Sequence, residues 1–131
     1  MIGVDTNVIV RLLTGDDEKQ YQKALTLFNK NQIFIPVTVI LELEWVLRYA
    51  YQFSPLQIGE ALRKLAGLEQ VTIDRPEELS LALQGLQNNM DFADALHLAI
   101  AAKEVTRQFT TFDKKLARNA IQSICRIKLI N

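Results

Sequence analysis

Four acidic residues stand where chemistry is most easily built: Asp5, Glu42, Asp94 and Asp113. Asp5 closes a short apolar run, Ile2 to Val4, that reads as a strand. Glu42 lies in the first turns of a helix that follows a second such run, Ile33 to Ile35. Asp94 lies in the first turn of a helix, and Asp113 directly follows the run Gln108 to Thr111. Gathered carboxylates repel: two unit charges about 4 Å apart cost roughly 4 kcal/mol at an effective dielectric near 20. A cluster therefore needs a cation or raised pKa values. Oxygen-only donors suit Mg²⁺, with Mn²⁺ as the alternative. Zinc prefers histidine and cysteine, and the chain has one of each, His97 and Cys125, far apart in sequence. A carboxylate-held Mg²⁺ activates water and stabilises charge on a phosphate under attack, so phosphodiester hydrolysis is the favoured reaction class.

Each acid also has a plain structural explanation. Asp5 and Asp113 precede helices and suit N-caps. Asp91 and Asp94, three apart, resemble a loose capping box. Glu42 complements a helix dipole. Two of them resist that reading. The stretch FADALHLAIAA is apolar except for Asp94 and His97, as in a buried helix, and a buried carboxylate wants a metal, a base or a proton. In the helix from Thr38 to Tyr51, Glu44 and Arg48 are spaced as a solvent-facing ion pair. Glu42 travels instead with Trp45, Val46 and Tyr49, which predicts an inward-facing carboxylate. His97, one turn from Asp94, reads as a satisfied helix histidine or as a hydrogen-bond donor to it. Trp45 and Tyr49 read as core or interface rather than as a platform for bases, and Arg11 as a surface residue.

The elements that must position these groups alternate. Helical pattern runs to Leu13 and from Asp16 to Phe28. Ser54 and Pro55 form an N-cap and first helical position for a helix to about Leu65. Val71 to Ile73 reads as a strand, Pro76 to Leu86 and Asp91 to Glu104 as helices, Asp113 to Asn119 as a short helix and Ile124 to Leu129 as a last strand. Short apolar strands alternating with helices imply parallel pairing in a sheet covered on both faces. In such sheets ligands bind beyond the carboxyl ends of the strands, where these acids fall.

A chain of 131 residues suits one domain, 1–131, able to bury roughly two-thirds of its unfolded surface without disulfides. Cys125 reads as a small packed residue. The apolar N-terminus lacks a basic region and is interrupted by Asp5 and Asn7, so it does not read as a secretory signal. No run approaches the roughly 18 apolar residues of a membrane span. Fifteen bases cancel fifteen acids, but seven bases (Lys103, Arg107, Lys114, Lys115, Arg118, Arg126, Lys128) outweigh Asp94, Glu104 and Asp113 after Phe92. Such an excess is a solvated face or a surface for phosphates.

Four segments together carry a family resemblance: IGVDTNVIVRLL, PVTVILELEWVLR, DFADALHLAIA and FTTFDKKLA. In order and separation they resemble the motifs of PIN domains, and the WVLR segment and chain length resemble VapC toxins. The resemblance implies a three-layer α/β/α fold with a mainly parallel central sheet and a Mg²⁺- or Mn²⁺-dependent endoribonuclease. Asp5, Glu42, Asp94 and Asp113 would carry the metal and the catalysis, with Asn7 and Thr111 orienting an acid or a water. It further implies a toxin, commonly dimeric, that acts on RNA and is restrained by a cognate antitoxin; the single cysteine fits a reducing, cytoplasmic setting. One rival is a PIN fold with an inactive site that works through protein or RNA contacts. Another is an aspartate-phosphorylating phosphohydrolase, which would want a second carboxylate where Asn7 stands. A dinucleotide enzyme is disfavoured, since no glycine-rich phosphate loop follows the first strand.

Overall fold

A computed structural model describes residues 1–104, 108–120 and 125–130. Arg107, one of the late basic residues, and Ile124, the expected start of the last strand, lie outside the described residues. The chain forms two compact units, Met1–Arg75 and Pro76–Asn131. Both are mixed α/β, and every strand pair among the described residues is parallel.

The first unit comprises β1 (Ile2–Gly3), α1 (Thr6–Thr14), α2 (Glu18–Lys30), β2 (Ile33–Ile35), α3 (Val37–Tyr49), α4 (Pro55–Ala66) and β3 (Val71–Ile73). The sheet order is β1-β2-β3, with Ile2 opposite Ile33 and Ile33 opposite Val71. Local chemistry sets the helix boundaries. Asp5 caps α1 and Asp17 caps α2 by accepting from backbone N–H groups. Ser54 caps α4 in a reciprocal capping box with Gln57, followed by Pro55 at the first position. Gly15 ends α1 at φ +62°, a left-handed conformation that glycine adopts without steric cost. Just beyond it, Asp16 accepts from Arg11, Thr14 and Tyr51. The Tyr51 and Thr14 hydroxyls, then Arg11, hold its carboxyl down to about 2. Arg11 is thus a surface residue that closes a turn.

The second unit comprises α5 (Pro76–Gln87), α6 (Phe92–Lys103), β4 (Gln108–Thr111), α7 (Lys114–Asn119) and β5 (Arg126–Leu129). β4 and β5 pair with Gln108 opposite Arg126 and Thr110 opposite Lys128. Cys125, the single cysteine of the chain, is buried, as a packed residue is. The packing of α5 on α6 is close at one point. A Cβ at Gly85 would sit 2.6 Å from the Ala95 Cβ and 3.3 Å from the Met90 Sδ. Gly85→Ala gains about 0.5–1 kcal/mol of helix propensity but overpacks this contact at a cost of about 1–3 kcal/mol. The expected result is a net loss of stability in thermal unfolding; an unchanged or raised melting temperature would show that the helices part without cost.

Candidate functional site

In the first unit, β1 ends at Gly3 and the chain turns through Asp5 into α1. Asp5 is exposed, and its carboxylate accepts from the Val8 backbone N–H at 3.4 Å, a long hydrogen bond that leaves most of its acceptor capacity open. The next residue, Thr6, is buried and donates its hydroxyl to Glu42 of α3 across 36 positions of sequence. Asp5 and Glu42 are therefore linked through adjacent backbone and one side chain. Asn7 does not make that link; it lines a groove with Val8, Arg11, Gln20, Lys23 and Ala24. Thr6 is the site residue that sequence reasoning passed over. Its one cue was its place directly after Asp5.

The face of α3 carrying Glu42 is the reverse of the expected one. Glu42 is exposed, as are Trp45 (56 %) and Tyr49 (60 %). The buried stripe runs Val37, Ile40, Leu43, Glu44, Leu47. Glu44, expected toward solvent, is 1 % exposed and takes both the Nε (2.8 Å) and Nη2 (3.2 Å) hydrogens of Arg48. Arg48 also lies 4.6 Å from the centre of the Tyr49 ring, and the Trp45 and Tyr49 rings are 5.0 Å apart. The grouping of Glu42 with Trp45 and Tyr49 holds, but that group faces out, so neither aromatic is core. A helix with apolar residues on both sides defines its faces by period without saying which one is covered.

In the second unit, Asp91 caps α6 by accepting from the Asp94 N–H at 3.1 Å. Asp113 caps α7 by accepting from the Leu116 N–H at 3.0 Å. Thr111 accepts from the Asp113 N–H at 2.9 Å, so it orients the backbone that presents that acid. Asp91, Asp94 and Asp113 line one small pocket of about 80 Å³ together with Asn89, Met90, Lys115 and Leu116. Asp94 is half-buried. Burial, then the charges of Asp91 and Asp113, raise its pKa, while His97 opposes them. Its place in the first turn of α6 favours the charged form by roughly 0.3–1 kcal/mol, an attraction that opposes burial and repulsion. His97 itself is exposed, and α6 is buried along Phe92, Ala95, Leu96, Leu98 and Ala99 rather than all round.

The two halves of the acid set thus fall in different units, Asp5 with Glu42 and Asp94 with Asp113. Residues 2–122 match the PIN-domain family profile. The chain belongs to the PIN-domain family. No curated protein matches it. PIN domains are generally nucleases that act on RNA and commonly use divalent metals. Among the described residues no group of three or more His, Cys, Asp or Glu side chains is arranged to hold a metal ion. The donor chemistry of the Asp94 pocket nonetheless fits a hard cation: Asp91, Asp94 and Asp113 supply carboxylate oxygens, although Lys115 lies on the same wall. No helix among the described residues is long and apolar enough to cross a membrane.

Proposed function

We propose that this PIN domain, residues 1–131 acting as a single domain, is a cytoplasmic Mg²⁺- or Mn²⁺-dependent endoribonuclease of the VapC toxin type. Asp94 carries the reading: a half-buried carboxylate with a raised pKa, beside Asp91 and Asp113, on the third of four family motifs. Asp5, Glu42, Asp94 and Asp113 are the catalytic and metal-holding acids. When bound, the cation supplies water activation and charge neutralisation at the scissile phosphate. Thr6 holds Glu42 in one orientation, and Thr111 does the same for the backbone of Asp113. The protein acts as a homodimer and is restrained by a cognate antitoxin, whose arginine pairs with the acids.

Purified protein is expected to cut RNA internally with Mg²⁺ or Mn²⁺ and to stop with EDTA. Undiminished cutting in verified metal-free buffer would sink the mechanism. Expressed alone, the protein should arrest bacterial growth, whereas Asp5→Asn should not. The presence of Lys115 on the wall of the acid pocket favours one second reading, an inactive PIN fold that binds without cutting. Binding of RNA with no cleavage under any divalent metal would establish it.

A further inference from the structure

The positive charge of the second unit is gathered at its C-terminal end. Among the described residues from Gln108 to Ile130, Lys114, Lys115, Arg118, Arg126 and Lys128 stand against one acid, Asp113. Over Met1–Arg75, by contrast, eight bases face nine acids. All five late cations are exposed, and none forms an ion pair with another described residue. Arg11, Arg48 and Lys103 are each neutralised by a carboxylate at 2.8 Å.

The backbone arranges these charges in a definite way. Side chains alternate along a strand, and exposure follows the alternation. Gln108, Thr110, Arg126 and Lys128 are exposed, while Phe109, Thr111, Ile127 and Leu129 are half-buried. The parallel register sets Gln108 beside Arg126 and Thr110 beside Lys128. One face of this small sheet therefore presents two cations about 7 Å apart along the strand, flanked by two uncharged polar side chains. α7 begins at the Asp113 cap, which puts Lys115 on the wall of the pocket shared with Asp91, Asp94 and Asp113. The exposed Lys115 side chain forms no ion pair with a described acid, so its charge is available to an anion arriving at the rim of the pocket.

We infer that Lys115 holds a backbone phosphate of single-stranded RNA at the rim of the carboxylate pocket, and that Arg126 and Lys128 hold flanking phosphates along the exposed face of the β4–β5 sheet. Lysine serves as a point charge and arginine as a two-pronged donor to phosphate oxygens. The contacts carry no sequence information; they position the strand. This inference rests on the RNA-cleaving reading above. Each neutralised phosphate releases counterions, so the contacts must appear as salt dependence.

The test uses the full chain in EDTA buffer and a short fluorescein-labelled oligouridylate, with binding followed by anisotropy from about 50 to 200 mM KCl. The variant Lys115→Gln/Arg126→Gln/Lys128→Gln should bind about tenfold or more weakly at the low-salt end. Its slope of log affinity against log salt should be shallower by about 2, at about 0.7 per lost phosphate contact. Lys19→Gln/Lys30→Gln, exposed charges of the first unit, should leave both unchanged. If wild-type protein cuts RNA with Mg²⁺ and the triple variant keeps the full slope and affinity, the phosphate assignment fails alone. That result would leave an acidic protein segment as the occupant of this surface. If wild-type protein neither binds nor cuts RNA, the nuclease reading fails and the assignment with it.

Discussion

Asp94→Asn should reduce metal-dependent RNA cleavage by on the order of 100-fold or more, since a bound cation contributes several kcal/mol to charge stabilisation in the transition state. The same variant should be more stable than wild type in metal-free buffer near neutral pH. The sign follows from the direction of the shift. Burial and the neighbouring charges of Asp91 and Asp113 raise the folded-state pKa of Asp94. The folded protein therefore favours the protonated acid, and wild type loses stability as pH climbs from the ordinary carboxylate range through the raised value. Above that window the penalty is constant; below it the two proteins converge. Mg²⁺ should stabilise wild type and leave the variant nearly unaffected, because only a ligand that binds the folded state shifts unfolding. Thermal unfolding with and without Mg²⁺, beside a cleavage assay, reads all of this. An Asp94→Asn protein that cuts RNA at the wild-type rate would remove Asp94 from the site.

The second large effect is structural. Arg48→Ala should cost about 3 kcal/mol, the lower part of the range for breaking a buried ion pair, because it strands the Glu44 carboxylate. Glu44 is buried, whereas the Arg48 side chain is 33 % exposed, which keeps the cost from the upper end. For a chain of this size the melting temperature should fall by roughly 10 °C. Arg48→Lys should recover only part of the loss, since lysine cannot reproduce the two-pronged contact. The double variant Arg48→Ala/Glu44→Leu should recover more, because leucine removes the buried charge. A loss of about 0.5 kcal/mol or less for Arg48→Ala, the range of exposed pairs, would mean that water reaches Glu44.

Features governed by near neighbours in the chain were legible from residue types. Asp5, Ser54, Asp91 and Asp113 cap the helices they precede, because a cap involves a side chain and a backbone N–H two or three residues on. Ile33–Ile35, Val71–Ile73 and Gln108–Thr111 form the expected strands, and their pairing is parallel as the alternation with helices requires. The family motifs were legible for the same reason: they are strings of residues in order. What tertiary structure alone decided is which partner a side chain meets and which face of a helix is covered. Glu44 and Arg48 are four apart whether buried or exposed, so their spacing cannot separate a solvated pair from a pair in the core. Only packing showed that Glu44 is inside and that Glu42, Trp45 and Tyr49 are outside. Thr6 reaches Glu42 across 36 residues, and Lys115 shares a pocket with Asp94 from a different helix. Such contacts depend on the path of the chain through space, which composition and period along the sequence do not contain.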